Sequence, residues 1–173
     1  MPTPLGHALG GLAAGWAVAG PARDRYGIIQ QSLWLALFGA AADLDLLVGR
    51  HRAESHSLGA AVLVATLAAW PLARAGVIAD GRARTWLAVV AAWATHPLLD
   101  ALAVDNGPPI GIMAFWPVST GHVQTGWAVF LPVLREYWVA RALKYDLWAA
   151  LRETAILVPV CAAVWWLRRE RAG

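Results

Sequence analysis

Long apolar blocks separated by short polar breaks dominate this chain. About 20 mostly apolar residues in a helix cross a bilayer. Five blocks meet that length and predict spanning helices at about residues 3–20, 27–49, 57–79, 85–104 and 146–167. Gly20-Pro21-Ala22-Arg23-Asp24-Arg25 breaks the first from the second, and Pro71 falls late in the third. Between the fourth and fifth blocks, residues 105–145 open with the turn-rich run Asp105-Asn106-Gly107-Pro108-Pro109. They continue with Trp116, Trp127, Tyr137 and Trp138 among Arg135, Arg141 and Lys144, a mixture suited to a segment lying at the membrane surface. The expectation is a single all-α domain over residues 1–173. It is an integral membrane helical bundle of about five transmembrane helices, with an interfacial segment before the last.

Composition agrees with the pattern. Of 173 residues, 59% are hydrophobic and 14% charged, against about 45–50% and about 25% in an ordinary soluble domain. That excludes a disordered tail, a coiled coil and an ordinary soluble domain. The one cysteine, Cys161, allows neither an internal disulfide nor a thiolate zinc site. The first positive charge, Arg23, follows the first apolar block, so that block reads as a retained helix and not a cleavable signal. The net charge is +3, with the arginines flanking apolar blocks. They read as topology signals, and no nucleic-acid partner is expected.

Ionisable residues inside a membrane protein are costly and mark functional sites. Successive spans alternate direction. The start of the first, the end of the second, the start of the third and the end of the fourth therefore share one side. His7, Asp43, Asp45, His51, His56, His96 and Asp100 all fall there. The other end has no histidine and carries Arg23, Arg25, Arg74, Arg82 and Arg84, with Arg168, Arg169 and Arg171 if the chain has five spans. This excess of positive charge leans toward a site facing away from the cytoplasm. His96 and Asp100, at i and i+4, share one helix face. Asp43 and Asp45, two apart, reach one site only if the helix unwinds or if they take different partners.

Imidazole with carboxylate is a usual ligand set for a divalent metal, zinc first and manganese as the alternative. One zinc needs only three or four protein ligands, so seven candidates suit more than one ion, or one ion with an outer layer. Such an ion activates water for hydrolysis. Arg52 is placed to bind the anionic part of a substrate and Glu54 to transfer a proton. The chemistry points to a phosphoester or other ester, including a lipid reached at the membrane surface. Membrane lipids are the expected surroundings, and a small molecule or lipid the expected substrate. The alternative is a metal-binding membrane protein without catalysis, or a metal transporter, which would carry polar residues near mid-membrane on several helices.

The motifs run in a recognisable order: Gly6-His7, Asp43-Leu44-Asp45, His51-Arg52-Ala53-Glu54-Ser55-His56-Ser57, His96-Pro97-Leu98-Leu99-Asp100, then a Pro/Gly-rich stretch from Asn106 ending in Trp116-Pro117. The order resembles the YdjM-like, LexA-regulated, membrane-bound metal-dependent hydrolases over about residues 1–120. Where that family has Pro before the first aspartate and His after the second, this chain has Ala42 and Leu46; its usual Gly and Thr are Ala53 and Ser55. The resemblance implies metal-dependent hydrolysis in a prokaryotic cytoplasmic (inner) membrane. A looser similarity to zinc-dependent phospholipase C and P1 nuclease, through the His-x-x-x-Asp helix, implies phosphoesters.

Overall fold

A computed structural model describes residues 1–49, 51–79, 81–104, 107–134, 136 and 138–170. Asp105, Asn106, Arg135, Tyr137 and Arg171, which entered the sequence reading, lie outside them. The described residues form five α-helices: α1 (Pro4–Ala19), α2 (Arg25–Ala40), α3 (Leu58–Arg74), α4 (Arg82–Ala101) and α5 (Ala140–Glu170). Local chemistry sets three of the starts. Thr3, Asp24 and Ser57 each accept a hydrogen bond from a backbone N–H of the first turn, and Pro4 stands where a missing N–H costs nothing. Gly20, with φ of 73°, ends α1.

Helix α1 is the hub, packed against α4, α2 and α5, while α3 packs on α4. The interior is built largely from small residues, with Ala61, Ala65, Ala88, Ala92 and Val89 fully buried. Large apolar side chains point outward instead, among them Leu63, Leu67, Trp70, Leu87, Trp148, Leu151 and Trp166. Small inside and large outside is the arrangement that close helix packing in lipid calls for. The tightest crossing joins α1 to α2 at Gly11 and Gly39, where a methyl on either would overlap the other helix's backbone.

Several predicted boundaries move. The second block is not one helix: after Ala40 it tightens into a 3₁₀ segment, Ala41–Val48. The third ends at Arg74, short of 79, with Pro71 in its last turn. The interfacial segment gives up its last residues to α5, which begins at Ala140. Of the described helices, α5 alone is long and apolar enough to span a membrane by itself. Helices α1 and α2 have 16 residues each, about 24 Å against a hydrocarbon core of about 30 Å. Helix α4 has 20 residues, but Arg82, Arg84, His96 and Asp100 interrupt its apolar run.

The connection from α4 to α5 folds back over the end of the bundle where α1 starts and α4 finishes. Isolated bridges pair Ala103 with Phe130 and Ile112 with Val123. Met113 N donates to Arg52 O at 3.2 Å and Leu58 N to Ala114 O at 2.9 Å, so the connection is stitched to the loop ahead of α3. Its Trp127 and Trp138 side chains are exposed, as an interfacial segment requires.

Candidate metal centre

The predicted residues converge beneath that connection. His7 comes from α1, Asp43 and Asp45 from the 3₁₀ segment, His51 from the loop that follows, His56 from a short 3₁₀ turn, Glu54–His56, ahead of α3, and His96 and Asp100 from α4. They fall into two adjoining groups of candidate ligands: His7, His96 and Asp100, all buried, and Asp43, Asp45, His51 and His56. His7, His56 and His96 have no solvent exposure and Asp100 only 4%.

An inner cage emerges from the atoms that face one another. His56 Nε2 and His96 Nε2 are 3.1 Å apart. Asp43 Oδ1 lies 3.5 Å from each of those nitrogens, and Asp100 Oδ2 lies 3.4 Å from His56 Nε2 and 3.5 Å from His96 Nε2. Asp100 Oδ1 is 3.4 Å from His7 Nε2, and the His7 ring stacks on His96 with centroids 3.6 Å apart. His7, Asp43, His56, His96 and Asp100 thus point five side chains at one small volume.

The surroundings decide which nitrogen of each ring faces the cage. His96 Nδ1 meets Gly39 O at 2.7 Å; a carbonyl only accepts, so Nδ1 carries the proton and the Nε2 lone pair faces inward. His56 Nδ1 lies 3.1 Å from Asp45 Oδ2, which fixes the same tautomer by the same argument. Asp45 is fully engaged: Oδ1 meets His51 Nδ1 at 3.0 Å, and Oδ2 also accepts Ser55 Oγ at 2.6 Å. Asp45 and His51 therefore form an outer layer that orients the cage. The 3₁₀ segment explains how two aspartates two residues apart both serve the site. At about 120° per residue they stand about 120° apart, against about 160° on an α-helix, so Asp43 reaches into the cage while Asp45 grips the loop at its edge.

Asp43 Oδ1, both Asp100 oxygens and both His7 ring nitrogens are buried without a hydrogen-bond partner. Buried polar atoms are normally satisfied. Here the carboxylate oxygens and inward lone pairs crowd together and repel one another, which is what a bound cation relieves. The residues present therefore fit a divalent metal. His56 sits in the short 3₁₀ turn ahead of α3, outside the apolar helix bodies. Burial disfavours its charged form, but the adjacent Asp43, Asp45 and Asp100 carboxylates outweigh that and push its pKa up to about 9. Without a metal, a proton takes part of the cation's place.

A cleft of about 480 Å³ opens beside the cage. Asp43, His51 and Arg52 give it a polar side, and Leu46, Val104, Pro132 and Val133 an apolar one. Arg52 has φ of 65°, unusual outside glycine. That turn sends its guanidinium across the loop, where Nη1 donates to Gly107 O at 2.9 Å and Pro109 O at 3.0 Å. Glu54 does not line the cleft; its carbonyl accepts Ser57 Oγ at 2.5 Å and so fixes the start of α3. His122 is exposed and belongs to neither group of candidate ligands.

Sequence reasoning missed three contributors. Gly39 supplies a backbone carbonyl, which no side-chain pattern reveals. Met1 places its sulfur against His51 Nε2 and within 3.4 Å of Arg52 Nε. Glu153, in the middle of α5, is fully buried beside α1; a carboxylate well inside an apolar block was the signal available for it.

Among known proteins, a family model described as YdjM inner membrane protein matches residues 1–172. No curated protein and no solved structure matches the chain.

Proposed function

Since the chain belongs to the YdjM inner membrane protein family, its buried cage sits in a membrane protein, and we propose that it is an integral membrane metal-dependent hydrolase. The carrying observation is the set of orphaned buried ligand atoms on His7, Asp43 and Asp100, facing His56 and His96. His7, Asp43, His56, His96 and Asp100 hold the ion. Zinc is the first expectation; five donors, two of them carboxylates, make manganese the alternative. A bound ion supplies Lewis-acid activation of water and substrate oxygen.

The chain's own residues do the rest. Asp45 and His51 hold the His56 ring, and Gly39 O holds His96. Arg52, on the cleft wall, offers charge and N–H groups to an anionic ester or phosphoester. The half-apolar cleft accommodates an amphipathic substrate such as a lipid headgroup with the start of its chain, drawn from the membrane surface. All five helices cross the bilayer in this reading. Helix α2 with its 3₁₀ extension covers about 40 Å, and the connection over the cage shields the shorter α1. The site faces away from the cytoplasm.

The competing reading is metal binding without catalysis, or metal transport. Transport needs polar groups along a path through the bundle. The candidate ligand groups among the described residues crowd one end, beside a cleft that takes more than an ion. Elemental analysis of detergent-purified protein tests the metal, and a screen of phospholipids and phosphodiesters with the loaded protein tests hydrolysis. Stoichiometric zinc or manganese with turnover supports the reading. Metal without turnover of any ester, together with metal flux into proteoliposomes, replaces it with transport.

A further inference from the structure

Three imidazoles enter the cage, and two of them are oriented by hydrogen bonds: His96 through Gly39 O and His56 through Asp45. His7 is different. Neither of its ring nitrogens has a hydrogen-bond partner. Within the cage it meets the stack on His96 and, at 3.4 Å, Asp100 Oδ1; from outside the cage its place is set by where α1 carries its backbone. Whatever fixes α1 along its own axis therefore fixes His7 Nε2 relative to Asp100.

That anchor is visible at the first turn. Glu153 of α5, with no solvent exposure, accepts Thr3 N at 2.9 Å through Oε1 and at 3.0 Å through Oε2, and accepts Thr3 Oγ at 2.5 Å. Thr3 Oγ in turn accepts Gly6 N at 3.2 Å, and Thr3 O accepts His7 N at 3.1 Å. Gly6 has no Cβ, and one built there would stand 2.6 Å from Glu153 Oε2, so a side chain at this position would make the carboxylate shift from where it meets Thr3. One chain of contacts runs from Glu153 through Thr3 to the backbone of His7.

The geometry points to Glu153 as a positioning residue: it locks α1 in register against α5 and thereby holds His7 in the metal cage. Helix rise is about 1.5 Å per residue, whereas ligand distances in a metal site tolerate only about 0.2 Å. A small slip of α1 is therefore enough to take His7 out of range. This inference rests on the metal cage of the proposed function. It goes beyond that reading by assigning a task to a carboxylate outside the cage.

A double-mutant cycle on metal affinity tests it, using the full chain in detergent and zinc titrated against a competing chelator. Glu153→Gln keeps the shape but turns an amide N–H toward the Thr3 donors. It is expected to weaken zinc binding by about 10–100-fold, the usual effect of disturbing a group that orients a ligand. In a His7→Ala background the same change is expected to alter affinity by less than about threefold, because the group being positioned is gone. Thr3→Val, a milder change that removes only the hydroxyl link, should show a smaller loss with the same dependence on His7. With Co²⁺ as the probe, Glu153→Gln and His7→Ala should shift the d–d absorption in the same direction. Equal losses with and without His7 would overturn the positioning role and leave Glu153 as a general packing anchor. A wild-type protein that binds neither zinc nor cobalt would overturn the cage itself and this inference with it.

Discussion

His56 Nε2 and His96 Nε2 face each other at 3.1 Å in the buried end of the bundle, each with its other nitrogen committed elsewhere. Two imidazole lone pairs so placed repel unless a proton or a metal ion lies between them. Asp43 and Asp100 add carboxylate oxygens within 3.5 Å of the same nitrogens, which favours the cation. Removing one of these donors should cost the ion. In His96→Ala and Asp100→Asn, metal content by elemental analysis is expected to fall from at least one equivalent to a small fraction. Unchanged metal content in both folded variants would refute the cage.

Asp45 touches the cage through His56 and grips His51 beside it. Asp45→Asn should leave the number of bound ions unchanged while weakening affinity by about 10–100-fold. Chelator competition measures this. Complete metal loss would place Asp45 among the direct ligands instead.

Metal binding should release protons, because imidazole binds metal only when neutral. His56 has a pKa raised from about 6.5 to about 9 in the metal-free protein, so it is protonated at neutral pH. The sign follows. Between about pH 6.5 and 9, the metal-free protein loses the stabilisation its imidazolium provides as pH rises, while metal affinity grows over the same window. Calorimetric titration in buffers of different ionisation enthalpy should show close to one proton released from this group at pH 7, declining toward pH 9.

The candidate ligands' convergence at one end of the bundle was legible in the sequence, because helix alternation and a shortage of other polar residues leave few alternatives. The sorting into cage and outer layer was not. It depends on the 3₁₀ tightening after Ala40, which narrows the angle between Asp43 and Asp45 so that one reaches the cage while the other meets Ser55 and His56 at its edge. No apolar periodicity signals that change. Glu153 was hidden for a related reason: its partner, Thr3, is 150 residues away and contributes mainly backbone. The five predicted spans became five helices of very unequal length. Hydrophobic blocks mark apolar residues, and cannot tell a straight helix from one that ends early in a capped loop.

Gly39 links three helices. It packs against Gly11 and the His7 carbonyl of α1, and its own carbonyl receives the His96 Nδ1 proton. Gly39→Ala adds a methyl with nowhere to go, forcing α1 and α2 apart. Overpacking of this kind costs about 1–3 kcal/mol. The expected result is a lower thermal midpoint together with weaker metal binding, since both His7 and His96 are displaced. A variant with altered stability but wild-type zinc affinity would show that the crossing and the cage are independent.

Arg52 reaches the cleft through a left-handed backbone turn, and its Nη1 is held by Gly107 O and Pro109 O. Its charge is therefore fixed in place beside Asp43 and His51 on the cleft wall. A charged hydrogen bond to a substrate anion contributes about 1.5–3 kcal/mol, or roughly 10–100-fold in kcat/KM. Arg52→Lys should keep part of that effect through its charge while losing the planar fork that spans two acceptors. Arg52→Ala should lose all of it. Metal content should stay constant in both, because Arg52 supplies no ligand. The informative comparison is between an anionic phosphoester and a neutral ester with the same apolar chain. If Arg52 recognises the anion, the loss is confined to the phosphoester. An equal loss on both substrates would mean that Arg52 acts by holding the 107–109 turn over the cleft.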